Sequence, residues 1–295
     1  MWTFAARCLE AATIFIFAGI GELINQRSGV LNVGVEGLML SGATSGFITV
    51  MLTGNFLLGF LVGMVIGGIL GLLHGFLSIT LKVDQVVSGM GIWLLGFGLT
   101  TYVMYLYNAL GPLPTEVGKL STILGLSPFF YIGISLVFIT WFILYRTSFG
   151  LRIRSVGEDP SVAEVSGINV AKTRYICVII GGILGGLAGS VFSLFYVTTL
   201  SYNMTMGWGF IALALVFFSM WNPLILLGGS LLFGTLWKLS VTPEVVLPGV
   251  MPLYFWRMVP FIVPILILVI ISTKWFRTRW GLAKPGALAK PYIKE

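Results

Sequence analysis

Charge is what this chain has least of. Only 9% of its 295 residues are charged, and no stretch long enough to fold as a separate soluble domain is polar. Histidine occurs once and cysteine twice, without metal-type spacing, so the two cysteines read as packing residues rather than as a disulfide or metal ligands. A GxxxxGK[ST] loop is also missing, which rules out nucleotide binding in the manner of a P-loop enzyme. No grouped His, Cys or carboxylates point to catalysis inside a membrane. No charged region followed by a small-residue cleavage site precedes the first apolar run, so the first helix is expected to serve as its own insertion signal.

Apolar residues are abundant: 57% of the chain is hydrophobic, with a mean hydropathy of +1.01. Stretches long enough to cross about 30 Å of hydrocarbon recur from end to end. Crossings are predicted near 8–24, 29–52, 57–81, 86–107, 128–145, 175–197, 207–221, 223–239 and 258–273. The expected fold is an all-α polytopic membrane protein of about nine helices, some of them broken, in a single domain spanning residues 1–295.

Nine crossings put the termini on opposite sides. With the N-terminus outside, the inner side receives Arg27, Lys82, Arg146, Arg152, Arg154, Lys172, Arg174, Lys274, Arg277, Arg279, Lys284, Lys290 and Lys294. Arg7, Lys119, Lys238 and Arg257 stay outside. This asymmetry follows the positive-inside rule and explains the net charge of +7 without a nucleic-acid partner. The C-terminus and the tail 274–295 are then cytoplasmic. Aromatic groups at predicted ends (Tyr102, Tyr105 and Tyr107; Phe129, Phe130 and Tyr131; Tyr254, Phe255 and Trp256) suit the headgroup level. Loops 108–127 and 240–257, with Pro112, Pro114, Pro243, Pro248 and Pro252, are expected to form partly ordered outer caps.

Glycine is the other bias, at 38 residues. Gly63, Gly67, Gly71 and Gly75 recur at four-residue spacing, as do Gly181, Gly185 and Gly189, and each set lines a helix face that another backbone can approach closely. "VIGGILGLLHG" (65–75) and "IIGGILGGLAG" (179–189) run in opposite directions in this topology, which hints at an inverted repeat. Cys8, Cys177 and the lone His74 are expected to be packing residues.

Two polar stretches interrupt the apolar pattern. "GELINQRSGVLNVGVEG" (21–37) carries Glu22, Asn25, Gln26, Arg27, Asn32 and Glu36. Glu22, Gln26 and Arg27 are expected in a cytoplasmic turn. Asn32 and Glu36 lie four residues apart, on one helix face where the chain enters the membrane. Two roles stay open for Glu36: anchoring a kink by accepting hydrogen bonds, with Arg27 as one candidate partner, or touching a passing substrate. Asn25, Asn32, Glu36, Tyr196, Asn203, Trp208 and Phe210 are the candidate substrate-path residues, and Tyr202 belongs to the same aromatic group, which the membrane-interface belt explains equally well.

The second stretch, "RTSFGLRIRSVGEDPSVAEVSGINVAKTRY" (146–175), has complete helix signals. Asp159 suits the cap, Pro160 the first position, Glu164 the early turns and Gly167 the stop. A helix so short needs something to lean on.

"GLRIRSVGEDPSVAEVSGINV" resembles the cytoplasmic coupling loop of permease subunits of ATP-binding-cassette importers, in the branch for branched-chain amino acids, simple sugars and nucleosides. "RSGVLNVGVEGLMLSGA" and "GFIALALVFFSMWNPL" (209–224) narrow the resemblance to the simple-sugar and nucleoside permeases. The similarity runs from about Leu9 to the last crossing.

This resemblance implies an importer in the bacterial cytoplasmic membrane. It would be built with a cytoplasmic ATPase subunit carrying the ATP and magnesium, a second permease subunit and an external substrate-binding lipoprotein, with no cofactor in this chain. It further implies that Glu158, Asp159, Pro160, Ala163, Glu164, Gly167 and Ile168 dock in a groove on the ATPase, flanked by Arg152 and Arg154. Two positions depart from the family pattern: Asp159 stands where Asn is more usual, and Gln26 where an acidic residue is. A proton-coupled carrier using Glu22, Glu36, Asp84 and His74 is the alternative within transport. A scaffold protein is a third reading, opposed by the polar residues inside the crossings.

Overall fold

The computed structural model describes residues 2–109, 118, 122–243, 252–272 and 284–292. Pro112, Pro114, Lys119 and Pro248 of the expected outer caps, and Lys274, Arg277, Arg279 and Lys294 of the tail, lie outside the described residues.

Eleven helices follow one another among the described residues: α1 (Trp2–Arg27), α2 (Val35–Thr53), α3 (Phe56–Gly75), α4 (Gln85–Ala109), α5 (Pro128–Arg146), α6 (Ser148–Glu158), α7 (Pro160–Val165), α8 (Val170–Val191), α9 (Trp208–Phe218), α10 (Pro223–Val241) and α11 (Leu253–Ser272). Seven of the predicted crossings coincide with helices long and apolar enough to cross a membrane, and the ninth falls on α11, of 20 residues.

Two expectations need correction. The seventh predicted crossing contains only α9, whose 11 residues rise about 16 Å, half of a bilayer core. The irregular segment 198–207 completes that passage. The second crossing begins at Val35 rather than at residue 29, because 28–34 is non-helical, with Gly29 at φ 88°.

Local chemistry explains where the helices start and stop. Gly54 ends α2 in the left-handed region (φ 67°), and the Asn55 side chain accepts from Leu58 N–H to open α3. Ser127, Asn169 and Asn222 cap α5, α8 and α10 in the same way, with Pro128 and Pro223 at the first helical positions.

α1 is the central column. Ala11, Ile14, Phe15, Ile16 and Phe17 have no exposed surface, and α5, α8, α9 and α10 surround it. α8 carries two glycine faces. Gly182 and Gly186 meet Gly63, Gly67 and Gly71 of α3, backbone on backbone, while Gly181, Gly185 and Gly189 face Asn25 of α1 and Leu38 and Met39 of α2. Ser190 Oγ donates to the Gly42 carbonyl at 3.0 Å and Ser193 Oγ to that of Ala43 at 2.8 Å, fastening α8 and the turn that follows it to α2. α3 and α8 cross antiparallel, and each runs into a π-helical turn, Phe76–Thr80 and Phe192–Val197.

The described cations separate by end. Arg27 and Arg154 meet at Tyr145, Arg174 donates to the Ser28 carbonyl, Lys82 lines a cavity with Arg174, and Arg152 and Lys172 line another. This is the basic end of the molecule. α8 leaves it, and α9 returns to it, since Arg27 Nε donates to the Trp221 carbonyl at 2.9 Å. Irregular segment and short helix together therefore count as one passage.

Candidate functional site

The stretch that opens the polar pattern folds into a knot at the end of α1. Glu22 Oε1 accepts from Gln26 Nε2 at 2.9 Å and from the backbone N–H of Asn32 at 3.0 Å, and Oε2 accepts from Asn25 Nδ2 at 3.0 Å. Gln26 Oε1 in turn accepts from Trp221 Nε1 at 2.7 Å. The Asn25 carbonyl receives the N–H groups of Ser28 and Val30, which turns the chain back along α1.

Glu22 and Gln26 are buried, which corrects their expected place in a solvated turn. Their partners, Trp221 and the 28–34 backbone, exclude water and supply the hydrogen bonds a buried polar group requires. Non-helical backbone survives at such depth only when enclosed by protein. Asn25 Oδ1 and Asn32 Nδ2 are the unpartnered atoms of this knot among the described residues.

Glu36, in the first turn of α2, meets the second irregular segment. Its Oε1 accepts from Thr205 Oγ1 and Gly207 N–H, both at 2.7 Å, and its Oε2 accepts from Gly209 N–H at 2.6 Å. The carboxylate is buried and caps α9, whose N-terminal dipole favours negative charge. Arg27 is not its partner: the guanidinium bonds to Trp221 O and to Tyr145 Oη instead. Gly207 (φ 90°) and Gly209 allow this approach, since a side chain at 209 would strike the Glu36 backbone.

The other path candidates are scattered. Trp208 is 1% exposed, stacked on Phe15 at 4.7 Å and enclosed by Phe192, Tyr196 and Trp237. It is a core residue in this conformation and has no face left for a ligand. Tyr196 is half-buried in the same cluster, Phe210 meets Trp93 edge-on, and Asn203 and Tyr202 are exposed. Asn25, Asn32 and Glu36 are buried beside the two irregular segments, while among the described residues the aromatic candidates divide between the core and the surface.

At the basic end α6 and α7 form a helix–turn–helix. Thr147 caps α6 by accepting from Gly150 N–H at 3.1 Å. Asp159 ends α6 and caps α7, accepting from the N–H groups of Ser161 and Val162 at 2.9 and 3.1 Å. Gly167 (φ 82°) stops α7 after six residues, and Ile168 N–H closes on the Ala163 carbonyl at 3.0 Å.

Ala163 is buried against Val156 and Val170, with Ile168 packed beside them, while Arg152, Glu158, Asp159 and Gly167 are exposed and Arg154 lies over the Tyr145 ring. Val162 and Val165 point outward, 62% and 92% exposed. A cleft of about 860 Å³ runs between α6, α7 and the start of α8, lined by Arg152, Glu158, Asp159 and Val162 among others. α6 rests on the end of α1, where Gly157 packs against the Arg27 carbonyl.

Sequence reasoning missed Thr205, Gly207 and Gly209 as partners of Glu36, and Trp221, Tyr145, Gln85 and Tyr292 as partners of the polar stretches. "MGWG" (206–209) is the one local signal: two glycines flanking a tryptophan mark a tight backbone approach.

The model of the family described as "Branched-chain amino acid transport system / permease component" matches residues 4–270. The chain belongs to this family. It is 40% identical over 97% of its length to the putative glucose ABC transporter permease protein TsgC13 of Haloferax volcanii, covering 96% of that protein. It is 37% identical to the guanosine ABC transporter permease protein NupQ of Bacillus subtilis, covering 97% of this chain and 95% of the relative. With the nucleoside ABC transporter permease protein NupC of Lactococcus lactis subsp. cremoris it shares 32% identity over 91% and 92% of the two chains. No solved structure matches. With its apolar helices, this membership makes the chain a permease component and a multi-pass integral membrane protein, at home in the cytoplasmic membrane in bacteria.

Proposed function

We propose that the chain is the membrane-spanning subunit of an ATP-binding-cassette importer for a nucleoside or a simple sugar, with the basic end in the cytoplasm. The single observation that carries this reading beyond family membership is α7. A six-residue helix, packed on α6 and the start of α8 through Ala163 and fixed at both ends by Asp159 and Gly167, shows two exposed valines on its outer side. Apolar side chains so placed in water suit the groove of a partner, and the α6 contact with the end of α1 gives that partner a lever on the membrane part.

The partner we assign is a cytoplasmic ATPase that binds ATP and magnesium. An external binding lipoprotein delivers substrate, and a second, related permease completes the path. Glu158, Asp159, Pro160, Ala163, Glu164, Gly167 and Ile168 form the docking segment, with Arg152 and Arg154 beside it. The path runs past the two irregular segments, where polar groups are already inside the protein.

A proton-coupled carrier is not favoured. Glu22 and Glu36 are tied into hydrogen-bond networks, His74 is bonded to Ser88, and Asp84 is an exposed cap of α4. The test is co-purification of tagged protein from detergent beside the Glu164→Lys variant. An ATPase that accompanies the native chain and is lost from the variant supports the reading. A chain that purifies alone and still takes up guanosine or glucose into vesicles lacking ATP overturns it.

A further inference from the structure

The described part of the C-terminal tail is built into the molecule. Ala287 N–H donates to the Gly157 carbonyl at 3.0 Å, Ala287 and Leu288 are buried, and Gly286 lies so close to the Glu158 carbonyl that a side chain there would collide with it. Leu288 N–H donates to the Pro285 carbonyl and Lys290 N–H to the Ala287 carbonyl, both at 3.1 Å, which folds this stretch into a tight turn.

Each side of that turn touches a different working part. On one side, the Tyr292 hydroxyl donates to the Glu164 carboxylate, and its ring packs with Val156, Ala163 and Val170, joining the tail to α6, α7 and the start of α8. On the other, Gln85 Nε2 donates to the Lys290 carbonyl at 3.3 Å while Gln85 Oε1 accepts from Leu31 N–H at 2.7 Å. Gly29, at the other end of the irregular segment, lies under the Ala287 carbonyl and against Arg174.

We propose that residues 285–292 are a relay that carries motion of α7 to the buried segment 28–34, with Tyr292 as its positioning residue. This rests on the importer reading, in which α7 is the part a partner moves. The physical reason is economy of contacts. The tail is the one described element that bonds to α7 and also reaches 28–34 from both flanks, at Gly29 directly and at Leu31 through Gln85. A displacement of α7 that keeps the phenol–carboxylate bond must drag the turn, and the turn cannot move without changing the hydrogen bonds that hold Leu31. Sequence reasoning gave this tail a cytoplasmic place and a positive charge, and no contact with the rest of the chain.

The experiment uses the transporter as it assembles with its ATPase, reconstituted in vesicles. Native protein, Tyr292→Phe and a deletion of 284–295 are compared for ATP hydrolysis, uptake and amide exchange in 28–34. Tyr292→Phe is expected to hold hydrolysis within about twofold while uptake per ATP falls about tenfold, the loss of one charge-assisted hydrogen bond. Exchange at 28–34 should quicken in the same variant. Native uptake per ATP in both variants would overturn the relay. So would hydrolysis and uptake falling in equal proportion, which marks a merely structural tail. Native uptake that needs no ATP at all would instead sink the importer reading, a result distinct from either.

Discussion

Glu36→Gln is the sharpest test of how the two irregular segments are held. The carboxylate receives three donors: the Thr205 hydroxyl and two backbone N–H groups at the start of α9. In the amide, one oxygen still serves Gly207 and Thr205, but an NH₂ now faces the Gly209 N–H, donor against donor. Leaving that buried N–H without an acceptor costs about 1–3 kcal/mol. Removing charge from a helix N-terminus adds about 0.3–1 kcal/mol. Against this, a buried charge no longer has to be desolvated, which returns part of the loss.

The net expectation is a destabilisation of about 2 kcal/mol for Glu36→Gln, and about twice that for Glu36→Ala, which strands all three donors. Unfolding of the purified protein in mixed micelles measures both. The order native, Gln, Ala should appear in the transition midpoints, and amide exchange at the start of α9 should rise in the same order. A Gln variant as stable as the native protein, with unchanged exchange at Gly207 and Gly209, would refute the reasoning. It would mean that the carboxylate bonds do not repay the burial of their charge.

Two more outcomes follow from exposure and packing. Gly67→Val places a branched side chain against the backbones of Gly182 and Gly186 and should cost about 1–3 kcal/mol or more by overpacking, whereas Gly98→Ala, with open space around it, should be neutral or stabilising in the same unfolding assay. Val165→Asp should leave the unfolding midpoint unchanged, because the residue is 92% exposed, while weakening capture of the ATPase by about tenfold or more in a titrated pull-down.

The parts of this fold that were legible are those whose cause is local. Long apolar runs identify spanning helices from hydropathy alone, and Asp159, Pro160 and Gly167 mark α7 because caps and stops act within a few residues. The double glycine faces of α8 were half legible: the spacing announced close packing, while which glycines meet α3 and which meet α1 and α2 depends on helix rotation, which spacing does not fix. What the pattern does not show is how the backbone runs where it breaks. Residues 28–34 lie in a stretch that interrupts the apolar pattern and 198–206 fall between two predicted crossings, but the groups that end the helices there are distant in sequence. Glu36 caps a helix that begins at Trp208, and Gln26 is buried by Trp221. Glu22, Gln26 and Arg27 look like a solvated turn until Trp221 and Tyr145 are brought beside them.

That division also says where motion can be accommodated. α1 is packed on all sides, and α3 and α8 touch backbone to backbone through glycines, so shifting either would break many contacts of a dense core at once. The irregular segments are held differently, by individual hydrogen bonds such as those of Glu22 and Gln85 to 31–32 and of Glu36 to 205–209. Several of their residues already sit in the left-handed region: Gly29 at one end, and Asn203, Met206 and Gly207 at the other. Such positions absorb dihedral change at little cost when glycine holds them. The two segments reach inward from opposite ends of the molecule, and α2 joins them through Glu36. A push at the basic end therefore meets a densely packed column in α1 and an irregular segment in 28–34. That segment carries Asn32, whose Nδ2 lacks a partner among the described residues, so it is also the part with hydrogen-bonding capacity to spare.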